Sequence, residues 1–175
     1  MNFKGNFDEF NHKLSNRVKN LLQKYNESTK SNEKENNLDN LAYIYPIIQI
    51  HDSNILTDEL VTKKFFEHSP ELSKIHLAVG YFNLTEEYER LITLNSKADY
   101  KLLVSSPKAN GFFNASGFSS HIPQIYSHLE ENFFKFIKSK NQDKRIKLYE
   151  YERDNWTFHA KGLWLVSLSI FSSYN

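Results

Sequence analysis

The segment Trp156-Thr157-Phe158-His159-Ala160-Lys161-Gly162-Leu163-Trp164-Leu165 holds the residue types best suited to act on phosphorus. Residues two apart on a strand share a face, so His159 and Lys161 would project together while Phe158, Ala160 and Trp164 pack the other way. The imidazole can attack phosphorus or carry a proton, and the ammonium offsets charge on the non-bridging oxygens as the transition state forms. Spacing alone is weak support, because a chain this rich in lysine yields about 0.7 such pairs by chance. A satisfied histidine beside a solvated lysine is the commoner outcome. Ser105, Ser106 and Asn110 follow a strand, where ligands gather in open α/β sheets, with an Asn-Gly turn at Asn110 and Gly111 as the structural alternative. Tyr81 and Asn83 also stand at a strand end and are candidates to line the pocket, although Asn83 serves equally as a turn residue. His51, Asp52 and Asp58 match no metal-ligand spacing, so neither a metal nor another cofactor is expected.

Several elements must position these groups. Apolar residues at Phe7, Phe10, Leu14, Val18, Leu21, Leu22 and Tyr25 predict an amphipathic helix over 1–25. Residues 26–40 are almost wholly polar and predict a linker. From residue 41 strands alternate with helices. Ala42–Ile50 reads as a strand, and Thr57 as the N-cap of the helix that follows. Ile75–Phe82 is a strand, Thr85 opens a helix to about Leu94, and Tyr100–Ser105 is a strand. After a Gly-, Ser- and Asn-rich loop, Pro123 falls in the first turn of a helix running to Asn141. Ile146–Tyr151 and Thr157–Phe171 close the pattern as strands, the last bent near Gly162. Alternation of this kind argues for an α/β layer fold.

Composition removes whole classes of function. The 175 residues contain no cysteine, which excludes disulfides, thiolate metal sites and a cysteine nucleophile. The net charge of +1 argues, weakly, against nucleic acid as a partner. No apolar run approaches the roughly 20 residues that cross a bilayer, so work on lipid would proceed from the surface. Residues 1–10 carry Asp8 and Glu9 and look like neither a transit peptide nor a secretory signal.

Phe158-His159-Ala160-Lys161-Gly162-Leu163-Trp164 resembles the second His-x-Lys motif of the eukaryotic phosphatidylglycerophosphate synthases, the CDP-diacylglycerol:glycerol-3-phosphate 3-phosphatidyltransferases of the phospholipase D superfamily. The likeness extends in order through Ile44-Tyr45-Pro46-Ile47-Ile48-Gln49, Thr57-Asp58-Glu59, Gly80-Tyr81-Phe82-Asn83-Leu84-Thr85, Ser106-Pro107, Asn110-Gly111-Phe112-Phe113 and Ile122-Pro123. It covers about Tyr43 to Leu165.

The resemblance implies a phospholipase D-like C-terminal catalytic half over 41–175, with a mixed β-sheet flanked by helices. The implied reaction passes a phosphatidyl group from CDP-diacylglycerol to glycerol 3-phosphate, releasing CMP, at a mitochondrial membrane surface. His159 would protonate the leaving group and then deprotonate the acceptor, while Lys161 would hold the phosphate oxygens. Ser106, Asn110, Tyr81 and Asn83 would lie near the substrate. The chain departs from the superfamily pattern in three places. His159-Ala160-Lys161 is its one His-x-Lys, Val166 stands where the superfamily places an Asp, and no Gly-Ser-x-Asn follows. The expectation is an inner piece of a longer enzyme that needs a second half-site. Two alternatives stay open: a homodimeric phosphodiesterase or nuclease built from two copies of the motif, and a catalytically incomplete fragment.

Overall fold

The computed structural model describes residues 6–32 and 44–166. They fall into two compact units, Met1–Thr62 and Lys63–Asn175.

In the first unit, helix α1 (Phe7–Asn32) carries Asp8 and Glu9 in its first turn, where the helix dipole favours acids. The helix runs past Tyr25 as far as Asn32, into the segment read as a linker. Local polar bonds carry it: Gln23 Nε2 donates to Glu27 Oε1 at 2.9 Å, and Ser28 Oγ donates to the Tyr25 carbonyl at 2.7 Å. Glu and Gln cost little in a helix, so it can continue without an apolar face. Residues 33–40 of the expected linker lie outside the described residues.

The strand expected over 42–50 shrinks to β1 (Gln49–Ile50), paired antiparallel with β2 (Ile55–Leu56); residues 42 and 43 lie outside the described residues. Pro46 lacks an N–H to donate and does not join the ladder. Asn54 closes the hairpin at a left-handed φ of 51°. Thr57 is the first residue of α2 (Thr57–Glu67) and not its cap. Gln49 caps the helix instead, its Oε1 accepting from the Glu59 N–H at 3.3 Å and its Nε2 donating to Glu59 Oε2 at 3.2 Å.

The second unit is built on β3 (Lys74–Val79), β4 (Asp99–Ser105), β5 (Ile146–Tyr151) and β6 (Lys161–Val166). Their order is β5-β4-β3-β6, with β3, β4 and β5 parallel and β6 antiparallel to β3. Register aligns Ile75, Tyr100 and Ile146 in one row and Leu77, Leu102 and Leu148 in the next. These rows pack with Phe82, Ile92 and with Phe133 and Ile137 of α4 (Ile122–Ser139) in the core. Pro123 sits in the first turn of α4, where its missing N–H costs nothing.

Thr85 caps α3 (Glu86–Arg90), its hydroxyl oxygen accepting from the Tyr88 N–H at 3.4 Å. A π-helical turn, Leu91–Asn95, continues that helix. Arg145 ties the turn to the sheet by donating to the carbonyls of Ile92, Thr93 and Ala98.

The last strand differs from expectation. It begins at Lys161, so His159 precedes it, and its pairing with β3 runs unbroken through Gly162. The cause lies upstream: the Phe158 N–H donates to the Ala109 carbonyl at 2.8 Å, which draws residues 157–159 away from the ladder. Residues 167–171 of the expected strand lie outside the described residues.

Candidate active site

Parallel strands β3 and β4 end on the same edge of the sheet, and the chain passes from them into the loops that hold the candidate residues. Gly80 follows β3 directly. Its N–H donates to the Ala160 carbonyl at 3.1 Å, and its carbonyl accepts from Ser105 Oγ at 2.8 Å. A Cβ at this position would lie 2.6 Å from the Phe158 carbonyl oxygen and 3.2 Å from His159 Cα. Only glycine lets the end of β3 approach the backbone ahead of His159 this closely.

Phe158 is held on its own side by ring stacking with Tyr151, at 4.9 Å between centroids. His159 and Lys161 meet: Lys161 Nζ lies 3.1 Å from His159 Nε2. Tyr81 joins them. Its ring meets the His159 ring edge-on at 5.5 Å, and Lys161 Nζ sits 5.8 Å from its centroid. Tyr126 at 5.5 Å and Phe112 at 5.7 Å brace Tyr81 in turn. A Cβ at Gly111 would come within 2.5 Å of Tyr81 Oη, so the loop after β4 presses on the same side chain. His159 and Lys161 themselves are exposed, open to a phosphate from solvent.

The other sequence-derived candidates hold different positions. Ser106 is buried, and its Oγ accepts from the Ala109 N–H at 3.3 Å, capping the 3-10 turn Pro107–Ala109. Asn110 is buried, and its Oδ1 accepts from the Phe112 N–H at 3.0 Å. Both shape the loop that supports Tyr81. Asn83 is exposed between Tyr81 and α3, and no described hydrogen bond ties it to the His159 cluster. Hydrogen bonds from Lys108, and then from Ser106, hold the Glu152 carboxyl below the usual carboxylate range.

Sequence reasoning gave no place at the site to Gly80, Phe112 or Tyr126, and gave Gly111 only a turn. A glycine closing an apolar strand signals close backbone approach, so Gly80 carried a usable sign. Tyr126 had none, because an aromatic among the apolar residues Ile122, Leu129, Phe133, Phe136 and Ile137 of α4 reads as part of that helix's packing stripe.

Beside this cluster lies a cleft of about 540 Å³ between the loop after β4 and the segment joining β5 to β6.

No protein-family model matches this chain. Over 124 residues it is 46% identical to the mitochondrial CDP-diacylglycerol–glycerol-3-phosphate 3-phosphatidyltransferase of Homo sapiens, a match covering 71% of this chain and 22% of that protein. Over 132 residues it is 42% identical to the probable CDP-diacylglycerol–glycerol-3-phosphate 3-phosphatidyltransferase of Dictyostelium discoideum, covering 74% of this chain and 22% of that protein. By this stretch the chain belongs to the phosphatidyltransferase family. It spans about a fifth of the length of the curated relatives it matches.

The chain also shares a fold with a solved structure, the phosphatidylserine synthase of Haemophilus influenzae Rd KW20. The TM-score is 0.55 at 17% identity, covering 63% of this chain and 25% of that one. That likeness agrees with the expected α/β architecture of a mixed sheet flanked by helices.

Proposed function

We propose that this chain contributes the second His-x-Lys half-site to phosphatidyl transfer from CDP-diacylglycerol to glycerol 3-phosphate. One observation carries the reading: His159 Nε2 and Lys161 Nζ stand 3.1 Å apart, open to solvent, in a chain matched at 46% identity to such a transferase. Two relatives named as mitochondrial, those of Homo sapiens and Gallus gallus, support the mitochondrion as the compartment.

In the proposed reaction a histidine of the other half-site attacks the phosphatidyl phosphorus, and the bond from phosphorus to the CMP oxygen breaks. His159 gives its proton to that departing oxygen. It then takes the proton from a hydroxyl of glycerol 3-phosphate as that oxygen attacks phosphorus and releases the first histidine. Lys161 meets the negative charge on the non-bridging oxygens in both steps. Tyr81, packed edge-on against His159, fixes the plane of the imidazole. One histidine cannot occupy both sides of the phosphorus, so a second half-site is required, from another segment or a second copy.

Because the donor carries acyl chains, the site works at a lipid surface. Among the described residues no helix is long and apolar enough to cross a membrane.

The test is a chimera in which residues 44–166 replace the matching segment of the Dictyostelium discoideum relative, assayed for CMP release in detergent–lipid micelles. Turnover that depends on glycerol 3-phosphate and is abolished by His159→Ala supports the reading. A well-folded chimera that turns over with His159→Ala refutes it. The 175-residue chain by itself is expected to release no CMP. Release that scales with a dimer in light scattering would favour the two-copy alternative.

A further inference from the structure

We propose that the cleft beside His159 is a nucleoside subsite, with Trp156 as the platform on which the donor's cytosine stacks. The proposal deepens the phosphatidyl-transfer reading and rests on it for the identity of the base. At about 540 Å³ the cleft falls within the range of about 300–1,000 Å³ common to small-ligand sites.

Its most telling group is Trp156, which lines the cleft yet is 55% exposed. Tryptophan is highly buried on average, so an indole kept at the mouth of a cleft calls for a partner. Arg153 lies over this indole, with its guanidinium carbon 4.3 Å from the ring centroid. That contact steadies the ring before any ligand arrives.

The charges around the cleft select the neutral part of the donor. Lys108 and Arg153 are balanced by Glu152 and Asp154, and Lys108 is already paired with Glu152 at 2.9 Å. A phosphate therefore finds little attraction here and finds it instead at Lys161. A base and ribose suit the cleft, because stacking needs no net charge and the Asp154 carboxylate can accept from a ribose hydroxyl. Asn114 and Asn155 also line it, held in the left-handed region at φ 59° and 62°. Their carboxamides both donate and accept, as the cytosine edge requires with its amino donor and its ring nitrogen and carbonyl acceptors.

Continuity with the reacting groups completes the argument. Thr157 lines the cleft two residues ahead of His159, and Phe158 between them is bonded to Ala109 of the facing loop. Gly111 lines the cleft and also presses on Tyr81, whose ring meets that of His159. A base seated on Trp156 thus puts its diphosphate at the mouth of the His159–Lys161 pair.

The experiment titrates the ¹⁵N-labelled 175-residue chain with CMP, AMP and inorganic phosphate. It follows the two indole N–H signals, assigned with Trp164→Phe. The Trp156 signal should shift saturably with CMP and stay still with phosphate at the same concentration. Trp156→Ala should weaken binding of radiolabelled CMP about 5- to 150-fold, the range given by losing one base–aromatic stack, while Trp156→Phe keeps most of it. Circular dichroism verifies that each variant is folded.

No CMP binding, unchanged CMP binding by folded Trp156→Ala, or an equal shift with phosphate alone would each overturn the subsite. The phosphatidyl-transfer reading would survive any of these if the chimera still turned over. AMP binding through Trp156 as tightly as CMP would uphold the stacking subsite and count against cytidine as its natural occupant.

Discussion

Replacing Gly80 with alanine tests whether the approach of β3 to the 158–160 segment sets the geometry at His159. The added Cβ would stand 2.6 Å from the Phe158 carbonyl oxygen, where an acceptable carbon–oxygen contact is about 3.3 Å or more. Both partners are backbone, so no flexible side chain can swing aside, and the segment must retreat by about 0.7 Å. The retreat stretches the bond from the Gly80 N–H to the Ala160 carbonyl, now 3.1 Å, and carries His159 with it, whose Cα would be 3.2 Å from the new methyl. Overpacking of this kind costs about 1–3 kcal/mol. A misplacement approaching 1 Å at a reacting group lowers rate by up to about 100-fold. Urea unfolding of the 175-residue chain measures the first effect, and turnover of the chimera measures the second. Gly111→Ala is the informative comparison, because its Cβ meets the Tyr81 hydroxyl, a side-chain tip that can move. It should cost less stability while loosening Tyr81 from His159. Wild-type stability and turnover in Gly80→Ala would refute the argument.

Three further outcomes are expected. Lys161→Met in the chimera should lower kcat by about 100- to 1,000-fold and leave KM within a few-fold, since the charge it meets grows in the transition state; a raised KM with normal kcat would contradict this. The buried Glu130 carboxyl is pushed up to about 7, first by burial and then by Glu150. Its raised folded-state value means stability is fully present below pH 4.5 and is lost as pH rises through about 7. Unfolding free energies from urea titrations should therefore fall across that window by an amount of order 2–3 kcal/mol, and Glu130→Gln should flatten the slope. Arg145→Met removes donors from the Ile92, Thr93 and Ala98 carbonyls and a cation from the Tyr100 ring, and should cost about 3 kcal/mol in urea unfolding without shifting the Trp156 indole signal.

Periodicity and turn chemistry were legible in the sequence wherever a segment's fate is decided by its near neighbours. The bounds of β5, the Thr85 cap and Pro123 in the first turn of α4 all follow from local rules, and all are present. The pairing of His159 with Lys161 was legible too, because two residues of separation in extended chain put side chains together whether or not the chain sits in a sheet. Two of the departures share one character. Thr57 is not a cap because Gln49, from another element, accepts from the Glu59 N–H in its place, and the last strand starts late because Ala109 captures the Phe158 N–H.

The tertiary structure alone decided what surrounds the histidine. Tyr81 follows β3, Phe112 lies in the loop after β4, Tyr126 belongs to α4, and Lys161 opens β6, yet all meet at or beside one ring. The Trp156 cleft likewise joins loops about 40 residues apart along the chain, a separation that local rules do not reach. Local pattern determines which way a residue faces along its own element. Which residues meet depends on strand order, register and how closely two backbones can approach, and these are settled only when the whole sheet is assembled.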